Sequence, residues 1–220
     1  MIKKIVLFCA VFLSYELSAQ NDSIYSVPIH KGTFITNLSG RITSGSTDIT
    51  DQSSTSEIVN NDYIFGTKSG YFVADKWVVG GNLFLQREAQ QSDILKTSSE
   101  KFFIGPWLRY YFSVHDNTSI YAQFSPLYVK TFSSTFINDA TLVEVNMESV
   151  GGGFGVEMGV GFNYYLSDKV AFNIGVDLIQ SKYKGERKNY LLNTLNSETT
   201  KETFLSVSFG FEIYLQQFFF

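Results

Sequence analysis

Val150–Leu166 reads VGGGFGVEMGVGFNYYL, and its alternation decides the fold. Even positions carry Val150, Phe154, Val156, Met158, Val160, Phe162, Tyr164 and Leu166, with Gly152 as the one gap. Odd positions carry Gly151, Gly153, Gly155, Glu157, Gly159, Gly161, Asn163 and Tyr165. A period of two held this long is a β-strand with one oily face and one small, polar face. The same pattern recurs in 203–215, where Leu205, Val207, Phe209, Phe211, Ile213 and Leu215 oppose Ser206, Ser208, Gly210 and Glu212. It recurs again at 170–178 and at 102–112. Further strands are predicted near 31–43, 60–74, 77–87 and 119–132. The total is eight.

Short polar breaks at Ala74-Asp75-Lys76, Val114–Thr118 and Ser167-Asp168-Lys169 mark tight turns. Each follows an aromatic pair: Tyr71-Phe72, Tyr110-Tyr111 or Tyr164-Tyr165, and Tyr214 closes a fourth copy. Longer polar stretches near 44–59, 88–99, 133–147 and 182–199 read as loops, and they alternate strictly with the turns. An eight-stranded antiparallel up-and-down barrel, tight turns at one rim and long loops at the other, has this rhythm. With 21 Phe, 13 Tyr, 17 Gly and only 3 Pro, the composition also favours strands with crowded faces.

Alternation suits two barrels. With the oily face inward the chain is a soluble, secreted binding barrel of lipocalin type. With it outward the chain spans a membrane. Glycine on a water-facing strand surface only weakens the strand, whereas a narrow lumen needs small residues. The aromatic clusters at one rim suit a membrane interface. These features favour the transmembrane reading.

The N-terminus agrees. Lys3 and Lys4 precede an apolar run, Ile5–Leu13, and Ser18-Ala19 offers a small-residue cleavage site. That is the layout of a secretory signal peptide over residues 1–19, followed by a lead-in at 20–30 and the barrel domain at 31–220. The run falls well short of the roughly 20 residues of a spanning helix. Cys9 leaves with the signal, so no disulfide framework is expected. Without Lys3, Lys4 and Glu16 the chain has 15 basic and 20 acidic residues, a net charge of −5 that argues against nucleic acid as a partner.

The end of the chain, LSVSFGFEIYLQQFFF, resembles the C-terminal strand of Gram-negative outer-membrane β-barrel proteins. The resemblance implies that Phe209, Phe211, Ile213, Leu215 and the terminal Phe218, Phe219 and Phe220 are read by the barrel-assembly machinery. Gln216-Gln217 interrupts the alternation just before the end. The mature chain as a whole looks like the small OmpX- or OmpW-type barrels, which implies an outer-membrane location and outer-membrane lipids as partners. The likeness is architectural and carries no motif of one activity.

Eight strands enclose a lumen that side chains can fill. The polar phase of each strand places Arg41, Lys68, Arg109, Glu157, Asp177 and Glu212 inside, three cations facing three anions. They are expected to form one ion network, with Arg109 and Glu212 at similar depth and Lys68 competing for Glu212. Arg87 falls in the oily phase near the loop rim, where it can snorkel. Lys182, Lys184, Arg187 and Lys188, assigned to the fourth loop, form a basic patch suited to anionic lipid head groups.

Catalysis is not expected. His30 precedes the first strand and His115 lies in a turn, so neither makes a Ser–His pair in mid-strand. Gly151–Gly155 lies within a strand with no helix after it, and without that context its likeness to a phosphate loop carries no meaning. No metal-ligand spacing and no cofactor site emerge. What remains is a structural or surface-interaction barrel with an unidentified extracellular ligand, a barrel passing small solutes through the lumen or sideways through its wall, or the soluble binding barrel.

Overall fold

A computed structural model describes residues 27–50, 55–91, 95–115, 117–137, 145–189 and 194–216. Eight strands follow in chain order: β1 Phe34–Thr50, β2 Thr55–Ala74, β3 Trp77–Gln91, β4 Leu95–His115, β5 Thr118–Ile137, β6 Val145–Tyr165, β7 Val170–Asn189 and β8 Thr194–Leu215. Every neighbour pairs antiparallel, and β1 closes the ring on β8, from Phe34↔Leu215 to Thr50↔Thr199. Closure removes the sheet edges that would otherwise seek a partner.

Following one paired residue per strand from Leu38, through Thr67 and on to Lys182 and Lys201, returns to Asp48 of β1. The path has climbed ten residues along β1. A climb of ten residues over eight strand spacings tilts the strands by roughly 40°. Each residue then adds about 2.6 Å of height.

Outward positions are apolar over nine to eleven residues on most strands: Trp77–Leu85, Phe102–Phe112, Ile120–Tyr128, Phe154–Tyr164, Val170–Leu178 and Leu205–Ile213. At that tilt the belt is roughly 25 Å tall, the thickness of a transmembrane barrel's lipid-facing band. Leu38, Phe65, Leu85, Phe124, Met158, Val176 and Phe209 all lie exposed within it, a surface no water-soluble barrel would present. The oily face points out. A soluble binding barrel, whose oily face must turn inward, is excluded by this orientation.

The strands extend past the predicted limits. Stretches read as loops at 44–59, 88–99, 133–147 and 182–199 are largely β-structure, with only 51–54, 92–94, 138–144 and 190–193 lying outside the described residues there. Above the bilayer both faces of a strand can be polar, so the period-two signal fades while backbone pairing continues. Abundant Ser and Thr tolerate that pairing. The tight turns do fall at Asp75-Lys76 and Ser167–Lys169, and Lys76 takes φ +67°, which lets the two-residue turn close.

The recurring aromatic pairs divide their work. Tyr71, Tyr110 and Tyr164 face outward at the turn-side rim, beside Trp77, whose ring centroid lies 4.6 Å from that of Tyr110. Phe72, Tyr111 and Tyr165 face inward and, with Tyr121 and Tyr214, pave the floor of the lumen. One ring of each pair serves the interface and the next serves the core. Ile29, in the segment before β1, is buried in the same floor, and its carbonyl accepts a hydrogen bond from the Lys76 amide at 3.1 Å.

Candidate functional site: the charged lumen

The polar phases of the strands meet inside the barrel in three layers. Lowest, beside the aromatic floor, Arg109 on β4 pairs with Glu212 on β8 at 2.5 Å. Glu212 also accepts from Asn163 Nδ2 at 2.5 Å and from the Tyr214 hydroxyl at 2.7 Å. Arg109 donates to the Tyr111 hydroxyl at 3.0 Å and to Gln123 Oε1 at 3.1 Å. Its guanidinium lies 3.7 Å from the Tyr121 ring centroid, a cation–π contact made in a dry setting.

The middle layer centres on Glu157 of β6. Lys68 Nζ reaches it at 2.8 Å, Arg41 at 3.2 Å, and Asn82 Nδ2 donates to its second oxygen at 2.5 Å. Arg41 also covers the Phe84 ring at 4.5 Å. Nearby Asp177 accepts from Gln123 Nε2 at 2.6 Å and from the Ser208 hydroxyl at 3.2 Å. Gln123 thus links the lower layer to the middle one. Lys68 binds Glu157 here, not Glu212, because β8 carries Glu212 down to the floor.

A third layer lies higher. Lys101 of β4 pairs with Glu202 of β8 at 2.5 Å, and the Tyr183 hydroxyl donates to the same carboxylate at 2.7 Å. Phe84, Phe103, Leu127, Val129, Ile179 and Phe204 pack around it as a second, apolar luminal cluster. Sequence reading missed this pair because it ended the strands at 102 and 203, one residue short on each. Lys101 and Glu202 share the phase of Arg109 and Glu212, and extending the alternation by one step would have found them. The amide and hydroxyl partners carried no charge to mark them.

Glycines on β6 make room for this packing. A Cβ at Gly161 would collide with the Tyr121 hydroxyl, and one at Gly159 with the Asp177 carboxylate. The small face of the quoted stretch is therefore the socket into which the lower and middle layers fit. Four cations and four carboxylates are buried together with their partners. Unpaired, any of them would carry a heavy desolvation penalty.

The remaining predicted residues lie elsewhere. Phe209 and Phe211 face outward on β8, whereas Phe218–Phe220 lie outside the described residues. Arg87 is exposed at the top of the belt and pairs with Glu100 at 3.5 Å. Lys182, Lys184 and Lys188 are exposed on the outward face of β7. They stand on a strand, not on the predicted loop, and position 187 falls on the opposite phase from the three lysines. His30 and His115 are exposed at the turn-side end.

No protein-family model matches the chain. No curated protein matches it either. Among solved structures, the outer membrane protein OprG of Pseudomonas aeruginosa is 17% identical, with a TM-score of 0.59 over 87% of this chain and 100% of that one. The fold is that of a small outer-membrane β-barrel. The outer membrane protein AlkL, solved in lipid bilayers, is 14% identical with a TM-score of 0.55 over 90% of this chain and 97% of its own. The outer membrane protease OmpT of Escherichia coli is 7% identical with a TM-score of 0.56 over 88% of this chain and 100% of its own. At these identities the likeness is one of architecture.

Proposed function

We propose that the protein is an integral outer-membrane barrel with a closed lumen, acting through its outer surface and its extended upper strands. The filled interior supports this reading: ion pairs at three depths, packed among aromatic rings, occupy the lumen. Residues 1–19 serve as the export signal. Phe209, Phe211 and Phe218–Phe220 present the closing strand to the barrel-assembly machinery. The reading includes no catalysis, and the protease activity named for OmpT is not carried over. Among the described residues no group of three or more His, Cys, Asp or Glu is placed to hold a metal ion.

Planar-bilayer recording tests the closed lumen. The reconstituted protein is expected to give no step conductance across the physiological voltage range. Steady, reproducible channel steps would defeat the proposal. A second measurement concerns assembly. Deleting Phe218–Phe220 is expected to lower the yield of heat-modifiable, folded barrel in outer-membrane fractions. Equal yields for the full-length and shortened chains would remove the terminal rings from the signal.

One observation favours a second reading, sideways passage of small apolar solutes. The β2–β3 ladder stops at Ile64↔Gln86, and among the described residues no pairing joins 55–63 to 87–91. The ladders of the other strands continue above that depth. Ile64 and Phe84, at the foot of this seam, belong to the apolar luminal cluster. Entry of an apolar dye into vesicles without any ion conductance would support the seam as the route.

A further inference from the structure

Resting on the outer-membrane reading, we propose that a notch at Gly152, on the outside of the barrel, binds the phosphomonoester head group of an anionic outer-leaflet lipid. Gly152 faces outward on β6, and its register partners are Lys130 on β5 and Lys184 on β7. The backbones of the two lysines are therefore about two strand spacings, roughly 10 Å, apart across a residue with no side chain. Both lysines occupy the outward phase; the Lys130 amine rests 5.6 Å from the centroid of the Phe132 ring, one outward position above, and a rotation about its side-chain bonds brings it over the gap toward Lys184. A Cβ at Gly152 would stand 3.2 Å from the Tyr128 hydroxyl, so that hydroxyl overhangs the floor of the notch. Lys182, two residues below Lys184, supplies a third amine beside it.

The surroundings fit an amphiphile. Phe154 lies directly below Gly152 on the same face and opposite Lys182 in register. It is the most exposed large hydrophobic side chain described, at 74%, and its ring meets Tyr128 edge-on at 5.8 Å. Lys130 is the first charge above the apolar belt on β5, and Lys182 the first on β7. The amines thus stand at head-group height with an aromatic shelf beneath them for the acyl region. Among the described residues none of Lys130, Lys182 and Lys184 has an ion-pair partner. Glu186 is the nearest carboxylate on β7, one outward position above Lys184. Three amines and one hydroxyl match a phosphomonoester, which carries up to two charges and exposed oxygens, better than a zwitterionic phosphodiester.

The test uses the full mature chain refolded into phosphatidylcholine vesicles containing a minor fraction of phosphatidic acid. Lipid retained by the repurified barrel is quantified as the ratio of phosphatidic acid to phosphatidylcholine. Wild-type protein is expected to enrich phosphatidic acid, and Lys130→Gln and Lys184→Gln each to lower that enrichment about fivefold. Gly152→Val, which fills the notch, should abolish it, while Lys169→Gln at the opposite rim should leave it unchanged. Heat-modifiable gel mobility confirms that each variant is folded. Undiminished enrichment in the folded Lys130→Gln/Lys184→Gln double variant overturns the proposal. Loss of enrichment in the presence of inorganic phosphate at concentrations that leave bulk vesicle charge unscreened would reassign the notch to a free anion and overturn the lipid assignment. A protein that does not float with the vesicles at all fails at the membrane reading instead.

Discussion

Glu212→Gln is expected to lower the stability of the refolded barrel by about 3–5 kcal/mol, read as a fall in the urea midpoint in lipid vesicles. The magnitude follows from what the carboxylate holds. It is fully buried, it neutralises Arg109 at 2.5 Å, and it accepts from Asn163 and Tyr214. A neutral amide keeps the shape but leaves the guanidinium charged among Trp107, Tyr111 and Tyr121, where water cannot reach it. It also turns NH2 donors toward Asn163, which is already a donor. Removing both charges behaves differently. Arg109→Met with Glu212→Gln deletes the stranded cation, and much of the loss should be recovered, as replacement of whole buried ion pairs often shows. An unchanged midpoint for the single variant would place Glu212 in water or lipid and invalidate the inward register of β8.

That register was legible in the sequence for a physical reason. A one-residue slip would turn Phe209, Phe211 and Ile213 into the lumen and Glu212 into lipid, so the oily face leaves one register open. The same logic places Arg41, Lys68, Arg109, Glu157 and Asp177 inward before any coordinates are known. Partner choice was less legible. Lys68 and Arg41 converge on Glu157 because the tilt carries paired residues upward from strand to strand, a shift that local alternation does not reveal. Strand length was misjudged where both faces become polar, and Lys101 and Glu202 were lost at those misplaced ends. The aromatic pairs were read only as a rim. Half of their rings form the lumen floor, as the period of two requires of any adjacent pair.

Glu157→Gln is the sharper test of the middle layer, because one carboxylate there serves two cations. Lys68 and Arg41 both face it, with Asn82 holding its second oxygen. Losing its charge leaves Lys68 with Asp177 as the remaining anion acting on it, while Arg41 keeps its stacking on Phe84. The expected loss is again about 3–5 kcal/mol, toward the upper end, since two buried cations lose compensation together. The rescue is specific. Adding Lys68→Met restores charge balance in the lumen and fills the lysine's volume with an apolar chain, so the double variant should recover more than half of the loss. Adding Lys169→Gln, a cation at the exposed turn, should recover nothing, although it changes the net charge equally. Urea unfolding of the four proteins in vesicles gives the comparison. If Lys68→Met and Lys169→Gln rescue equally, the penalty comes from overall charge, and Glu157 is not the hub that holds the two cations in place.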